Sequence, residues 1–197
     1  MIKKIILGLL IVFSTQIASA NDIEKHAVKI VSIKPSVSRC SGVIIDETET
    51  STHILTARHC VGTKGLYFIE DRITPAYIFS SSTDDLALII IQGKIDNKEA
   101  VKLSTDVIKL GEHLRSVGYP YWDKSTYASD GIVARQSDEM VWTYFKSISG
   151  CSGSGVFNDN NELVGILRGG VNSEDISVFE PNKDILTFLI TTQEKLQ

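Results

Sequence analysis

The feature that most restricts the fold is a long series of short runs rich in β-branched and aromatic residues, from about residue 26 to about residue 180. Gly, Pro, Ser, Asp and Asn separate these runs, as turn residues separate strands. Their close and fairly regular spacing is typical of β-sandwiches and β-barrels. The clearest runs are CSGVIID, HILTA and LALIII in the first half, and HLRSVGY, GIVARQ and LVGILR in the second.

The series is interrupted once, by a polar stretch at about residues 93–108 that carries few strand signals. This stretch predicts a connection between a first barrel at about 26–92 and a second barrel at about 109–180.

The tail has a different pattern, which predicts a C-terminal helix at about 182–196. Either Asn182 or Asp184 is suited to cap its start. Four apolar side chains fall on one face of this helix: Ile185, Phe188, Leu189 and Leu196.

The first twenty residues, MIKKIILGLLIVFSTQIASA, have the pattern of a secretory signal peptide. Two lysines precede an apolar run, Ile5 to Phe13, and Ala-Ser-Ala ends the segment. The run is shorter than the ~20 apolar residues that a membrane span needs, so no membrane anchor is predicted. We expect cleavage after Ala20 and a secreted or periplasmic mature domain at 21–197.

The composition limits the classes of partner that the chain is expected to bind. Its 20 basic and 24 acidic residues give a net charge of −4, and no basic patch stands out. Nucleic acid is therefore not expected as a partner, because phosphate binding draws on clustered Lys and Arg. Export permits a disulfide, and with three cysteines at 40, 60 and 151 one must stay unpaired within the chain.

The segment GCSGSG, residues 150–155, is either a flexible linker or a nucleophile held in a tight turn. A lipase-like hydrolase is excluded, because it needs a histidine after the serine and a glycine where Ser154 stands. A catalytic order of His, Asp and Ser remains possible, since every histidine precedes Ser152. The histidines are His26, His53, His59 and His113.

Several segments resemble the trypsin and chymotrypsin family, in the family's order. ILTARHC (54–60) resembles LTAAHC, and DLALI (85–89) resembles the strand with the catalytic aspartate. HLRSVGYP (113–120) recurs where the second barrel begins, and LVGILRGGV (163–171) resembles the strand that lines the substrate cleft. GCSGSGVFN resembles GDSGGP, and more closely the GNSGSPVFN form of bacterial glutamyl endopeptidases. The resemblance implies an all-β, chymotrypsin-like fold of two six-stranded antiparallel β-barrels with a C-terminal helix.

The same resemblance implies a serine endopeptidase that cleaves proteins or peptides without a metal or cofactor. His59 would be the general base, Asp85 the carboxylate that orients it and Ser152 the nucleophile. The N–H groups of Gly150 and Ser152 would form the oxyanion hole. Asp84 competes with Asp85, but the D-L-A-L register selects Asp85.

The resemblance also implies a role for each cysteine. It implies a disulfide between Cys40 and Cys60 across a hairpin, with Cys151 left as a buried, inert thiol. Cys151 is a poor nucleophile candidate, because cysteine relatives carry the thiol at the serine position. A zinc site built from the first two cysteines with His53 and His59 lacks recognisable ligand spacing.

Five residues are candidates for substrate binding. Leu167 stands where the glutamyl branch has a histidine that helps bind an acidic side chain, so we predict an apolar pocket wall and no strict glutamate specificity. Arg168 follows it, and Gly169 and Gly170 leave backbone free to pair with an extended substrate. Lys146 lies six residues before Ser152, where trypsin-like enzymes place the residue at the floor of the substrate pocket. There it would favour an acidic P1 residue, although lysine more often points its ammonium to solvent.

Two alternatives to a simple monomeric peptidase differ from it in what the chain must contain. A protease fold that only holds a partner would commonly lack one of the triad residues, and all are present here. A quality-control protease carries an appended peptide-binding domain, for which this chain has no residues left.

Overall fold

The computed structural model of the protein describes residues 20–33, 37–62, 67–121, 123–171 and 174–194. Apart from Ala20, the predicted signal peptide lies outside these ranges. The described chain is almost entirely β-structure, which confirms the predicted fold class. A five-residue helix, α1 (Ala20–Glu24), precedes the first strand. No helix in the described ranges combines the length and the apolar character needed to cross a membrane.

The first half forms one antiparallel sheet that curls into a half-barrel. Its order along the sheet is β5-β4-β1-β2-β3-β7-β6, so it has one strand more than predicted. The extra strand arises because Glu70 and Asp71 adopt positive φ and turn the chain tightly back after β4. The strands are β1 (Ala27–Ser32), β2 (Ser38–Glu47), β3 (Ser51–Ala57), β4 (Tyr67–Ile69), β5 (Arg72–Ile73), β6 (Ala76–Ser80) and β7 (Leu86–Gln92).

The second half forms a closed, six-stranded antiparallel barrel, as predicted. Its strand order is β10-β13-β12-β11-β8-β9. Closure pairs every strand on both sides, which leaves no open edge. The strands are β8 (His113–Gly118), β9 (Tyr127–Gln136), β10 (Val141–Thr143), β11 (Gly155–Phe157), β12 (Leu163–Gly170) and β13 (Ser177–Pro181).

A helix, α2 (Asn182–Glu194), follows the last strand and closes the core between the two sheets. Ile185 and Phe188 are buried there with Leu55 of the first sheet and Phe157 of the second, while Leu189 packs against them. Of the predicted apolar face, only Leu196 lies outside the described residues. Asn182 stands at the start of the helix, where its Oδ1 accepts the N–H of Lys183 at 3.0 Å. The helix therefore fixes the two barrels against each other.

Candidate active site

Strand register brings His59 and Asp85 together. His59 lies in a 3-10 turn, Arg58–Cys60, directly after β3, and Asp85 directly precedes β7. Because Ala57 pairs with Leu86, the residues that follow one strand and precede the other are neighbours. The Nδ1 atom of His59 lies 2.7 Å from Oδ2 of Asp85, and the His59 backbone N–H donates to Oδ1 at 3.0 Å.

The environment of Asp85 keeps its carboxylate ionised. The side chain is only 7% exposed, whereas that of His59 is 49% exposed. Burial by itself would raise the pKa of Asp85. The two hydrogen bonds from His59, together with the positive charge of Arg168, outweigh burial and hold the pKa below its ordinary value. The imidazole thus has a fixed, charged partner.

Asp84 has a different environment. Its Oδ2 accepts hydrogen bonds from the hydroxyls of Ser81 and Thr83, at 2.9 and 2.8 Å. These bonds close the turn between β6 and β7, a common use of aspartate. The structure therefore places Asp85, and not Asp84, against His59.

Ser152 lies in a sharp turn that requires glycine on both sides. Gly150 and Gly153 have φ of 102° and 86°, in the region that side chains disfavour. A Cβ on Gly153 would lie 2.2 Å from the Ser41 carbonyl oxygen, and one on Gly150 would lie 2.3 Å from the Tyr121 nitrogen. GCSGSG is therefore a tight, packed turn and not a linker.

The hydroxyl of Ser152 is bonded to strand β12. It donates to the carbonyl oxygen of Arg168 at 3.2 Å. Among the described residues, no hydrogen bond joins it to the ring of His59. The serine hydroxyl is thus bonded to Arg168, the residue whose guanidinium lies 3.8 Å from Asp85.

Two backbone N–H groups of this turn are free to bind a ligand. Tyr121 donates its N–H to the carbonyl oxygen of Ser149 at 2.7 Å. Because the peptide is planar and trans, the N–H of Gly150 points away from Tyr121. In the described part of the chain, neither this N–H nor that of Ser152 donates to another protein group. Two unpaired donors next to a serine are what binding of an oxyanion needs.

Ser41 anchors this turn to the first sheet, a role that sequence reasoning missed. Its hydroxyl donates to the Gly150 carbonyl at 2.9 Å and accepts the Tyr119 N–H at 2.8 Å. Its backbone N–H donates to the Ser152 carbonyl at 2.8 Å. Ser41 is fully buried. The one sequence signal was its position next to Cys40, beside the predicted disulfide.

The cysteines lie as predicted. A disulfide joins Cys40 to Cys60 and so ties β2 to the turn that carries His59. Cys151 is free and buried, and burial raises the pKa of its thiol to about 11. Of the four residues of the rejected zinc site, Cys40, His59 and Cys60 place their ligand atoms within 4.8 Å of one another. The two sulfurs are joined in the disulfide, however, and His53 is paired with Asp46 on the neighbouring strand.

A polar cleft of about 520 Å³ opens beside Ser152. Its lining includes three of the predicted substrate-binding residues, Lys146, Gly169 and Gly170. Two acidic residues, Glu174 and Asp175, also line it, and the Lys146 ammonium lies 3.8 Å from the Asp175 carboxylate.

The other two predicted substrate-binding residues do not line this cleft. Leu167 is buried in the core of the second barrel, with Val156 and Phe179. A register shift between Leu167 and Gly169 in the pairing of β12 with β13 accompanies this change of direction. The expected apolar pocket wall at Leu167 is therefore absent from the described cleft lining.

The guanidinium of Arg168 points instead toward two carboxylates. Its Nε lies 3.8 Å from Oδ2 of Asp85, and its Nη1 lies 3.7 Å from Oε1 of Glu180. Glu180 is 3% exposed, and its Oε1 accepts the N–H of Asp85 at 3.2 Å. Sequence reasoning missed Glu180, although an acidic residue inside the apolar strand SVFEP was a visible signal.

The fold resembles those of two solved proteins. A serine endoprotease from Yersinia pestis superposes with a TM-score of 0.72 at 19% identity, over 88% of this chain and 66% of that one. An inactive form of Rv3671c from M. tuberculosis H37Rv superposes with a TM-score of 0.70 at 15% identity, over 87% and 88% of the two chains. At these identities the likeness establishes the fold alone.

The sequence is similar to a named peptidase. Glutamyl endopeptidase of Staphylococcus aureus (strain MW2) is 28% identical over 160 residues, which cover 74% of this chain and 47% of that protein. The chain thus spans about half the length of the curated relatives it matches. The model of the trypsin-like peptidase domain matches residues 40–166, well over half of the chain. The chain therefore belongs to the trypsin-like peptidase family.

Proposed function

We propose that this protein is a serine endopeptidase in which Ser152 attacks the peptide carbonyl, with His59 as general base and Asp85 as its orienting carboxylate. One observation carries the proposal: the imidazole of His59 is paired with a buried, ionised carboxylate next to a serine whose turn presents two free N–H groups. Family membership supports peptides or proteins as the substrates.

The mechanism requires the Ser152 hydroxyl to change its partner. Its Oγ leaves the Arg168 carbonyl by rotation about χ1 and turns toward Nε2 of His59. His59 then takes the hydroxyl proton as Oγ bonds to the substrate carbon, and the N–H groups of Gly150 and Ser152 bind the oxyanion. Protonated His59 donates to the leaving amine, which leaves an acyl-enzyme. Water, deprotonated by His59, completes hydrolysis.

Labelling with a fluorophosphonate tests this assignment. We expect the wild-type protein to be labelled at Ser152 and Ser152→Ala to lose both labelling and peptide hydrolysis. Ser154→Ala is the matched control, because this serine lies in the same turn and its buried hydroxyl has no hydrogen-bond partner among the described residues. Equal loss in both variants would contradict the assignment.

A binding protein without catalytic activity is the second candidate. The bond from Ser152 Oγ to Arg168 is the observation that favours it, since a permanently held hydroxyl cannot attack. The same labelling experiment distinguishes the two: a folded wild-type protein that binds peptides but resists fluorophosphonate would support the binding function.

We further propose that cleavage does not require glutamate at P1. Lys146 already has an acidic neighbour in Asp175, and Glu174 adds a second negative charge to the cleft, so an acidic side chain meets no unpaired cation. A peptide library should show cleavage after several residue types. Cleavage after glutamate alone, lost in Lys146→Ala, would refute this.

Export to an oxidising compartment is also part of the proposal. The Cys40–Cys60 disulfide supports it, because disulfides rarely persist in a reducing cytosol. N-terminal sequencing of the exported protein should give Asn21 as its first residue.

A further inference from the structure

Glu180 is a buried carboxylate that connects the two barrels at the proposed active site. It lies on β13 of the second barrel, yet its Oε1 accepts the N–H of Asp85, which precedes β7 of the first sheet. A carboxylate that is 3% exposed is costly unless it is paired. A buried carboxylate at this position, next to Asp85, therefore needs a partner that offsets its charge.

Arg168 is that partner, and it serves both carboxylates. Its guanidinium lies 3.8 Å from Oδ2 of Asp85 and 3.7 Å from Oε1 of Glu180. The same Oδ2 atom is bound to Nδ1 of His59 at 2.7 Å. The imidazole, the two acids and the guanidinium thus form one continuous charged cluster.

The remaining charges around this cluster are mostly negative. Asp84 lies on the same turn as Asp85, and its charge acts on Glu180 and on Asp184 of α2. Arg58 is directed elsewhere, to the Ser81 carbonyl at 3.1 Å. Arg168 is therefore the cation that offsets both carboxylates in the described surroundings of the cluster.

The two acids respond differently to this environment. Burial raises the pKa of Glu180, and the charges of Asp85 and Asp84 add to the increase, against the hydrogen bond from Asp85 N–H and the charge of Arg168. The pKa of Asp85 is lowered instead. On acidification Glu180 therefore takes up a proton before Asp85, which preserves the charge next to His59.

We propose that Glu180 and Arg168 are positioning residues for Asp85: Glu180 fixes its backbone from the second barrel, and the Arg168 guanidinium holds its carboxylate in place between the imidazole and the second acid. This inference rests on the proposed peptidase function. It assigns Arg168 to the support of Asp85 and not to the substrate.

Three variants separate these contributions. Glu180→Leu removes the acceptor and the charge, whereas Glu180→Gln keeps an oxygen for the Asp85 N–H and removes the charge only. Arg168→Met removes the cation but leaves the backbone carbonyl that accepts from Ser152. Glu162→Gln is the matched control, since it neutralises a carboxylate of the same barrel that is paired with Lys102.

We expect Glu180→Leu to lower kcat about tenfold with little change in KM, because the unpaired N–H loosens Asp85 and not the substrate cleft. The acid limb of the kcat/KM profile should move to lower pH in Glu180→Gln and to higher pH in Arg168→Met, each by roughly half a pH unit. The directions are opposite because a negative charge stabilises protonated His59 and a positive charge destabilises it. A purely structural role would not produce opposite shifts.

Wild-type kcat in Glu180→Leu, or acid limbs that stay in place or move in the same direction, would overturn the positioning role. If thermal unfolding shows that Glu180→Leu does not fold, the two charge variants decide the question by themselves. A wild-type protein that resists fluorophosphonate would refute the peptidase function. If the wild-type protein is labelled but the acid limbs of the two charge variants do not shift, only this inference is refuted.

Discussion

The Ser41 hydroxyl offers a direct test of how the nucleophile turn is held. Ser41→Ala removes an atom that donates to the Gly150 carbonyl and accepts the Tyr119 N–H. The backbone bond from Ser41 to Ser152 is kept, so the substitution acts on the side chain alone.

The expected loss of stability in Ser41→Ala follows from the burial of this side chain. Ser41 is 0% exposed, so neither Gly150 nor Tyr119 gains water when the hydroxyl is lost. A buried polar group without a partner costs about 1–3 kcal/mol, so two such groups should lower the free energy of unfolding by about 3 kcal/mol. For a domain of this size, the melting temperature should then fall by about 6–12 °C.

Denaturant unfolding of Ser41→Ala and Ser154→Ala provides the comparison. Both serines are 0% exposed, but the Ser154 hydroxyl has no hydrogen-bond partner in the described part of the chain. Loss of that hydroxyl should therefore be neutral or slightly stabilising. Ser41→Ala should also be labelled more slowly by a fluorophosphonate, because Gly150 is less firmly held. Equal unfolding free energies for the two variants would refute the assigned role of Ser41.

Three further outcomes are expected. Asp85→Asn should keep the fold but lower kcat by about 10⁴, through the wrong imidazole tautomer, and a wild-type kcat would exclude its role. Replacement of Cys40 and Cys60 by alanine should cost about 3 kcal/mol in the free energy of unfolding, which denaturant titration measures; an unchanged midpoint would contradict this. A hydrogen bond to Asp159 raises the pKa of His113, so that pair stabilises the fold below about pH 6.5 and the contribution is lost as pH rises. Because the pair is solvent-exposed, His113→Asn should cost at most about 1 kcal/mol at pH 5.5 and nothing at pH 9; equal losses at both would refute it.

Local patterns in the sequence account for much of what could be predicted about this protein. Alternating apolar runs and turn residues indicate strands because side chains of a strand alternate between its faces, and this identified the β-fold. The closed second barrel was expected from the resemblance to a known family. The turn around Ser152 was readable because its backbone needs glycine at Gly150 and Gly153. The disulfide and the pairing of His59 with Asp85 were expected from the resemblance to a known family, and the structure places these residues in contact.

The tertiary structure alone decided the direction of the side chains that surround the site. Leu167 turns into the barrel and Arg168 toward Asp85, at the point where the register of β12 shifts against β13. Glu180 reaches Asp85 across the junction of the two barrels, from 95 residues away in the sequence. No local pattern encodes such a contact, since it depends on how two separately formed sheets pack on one core.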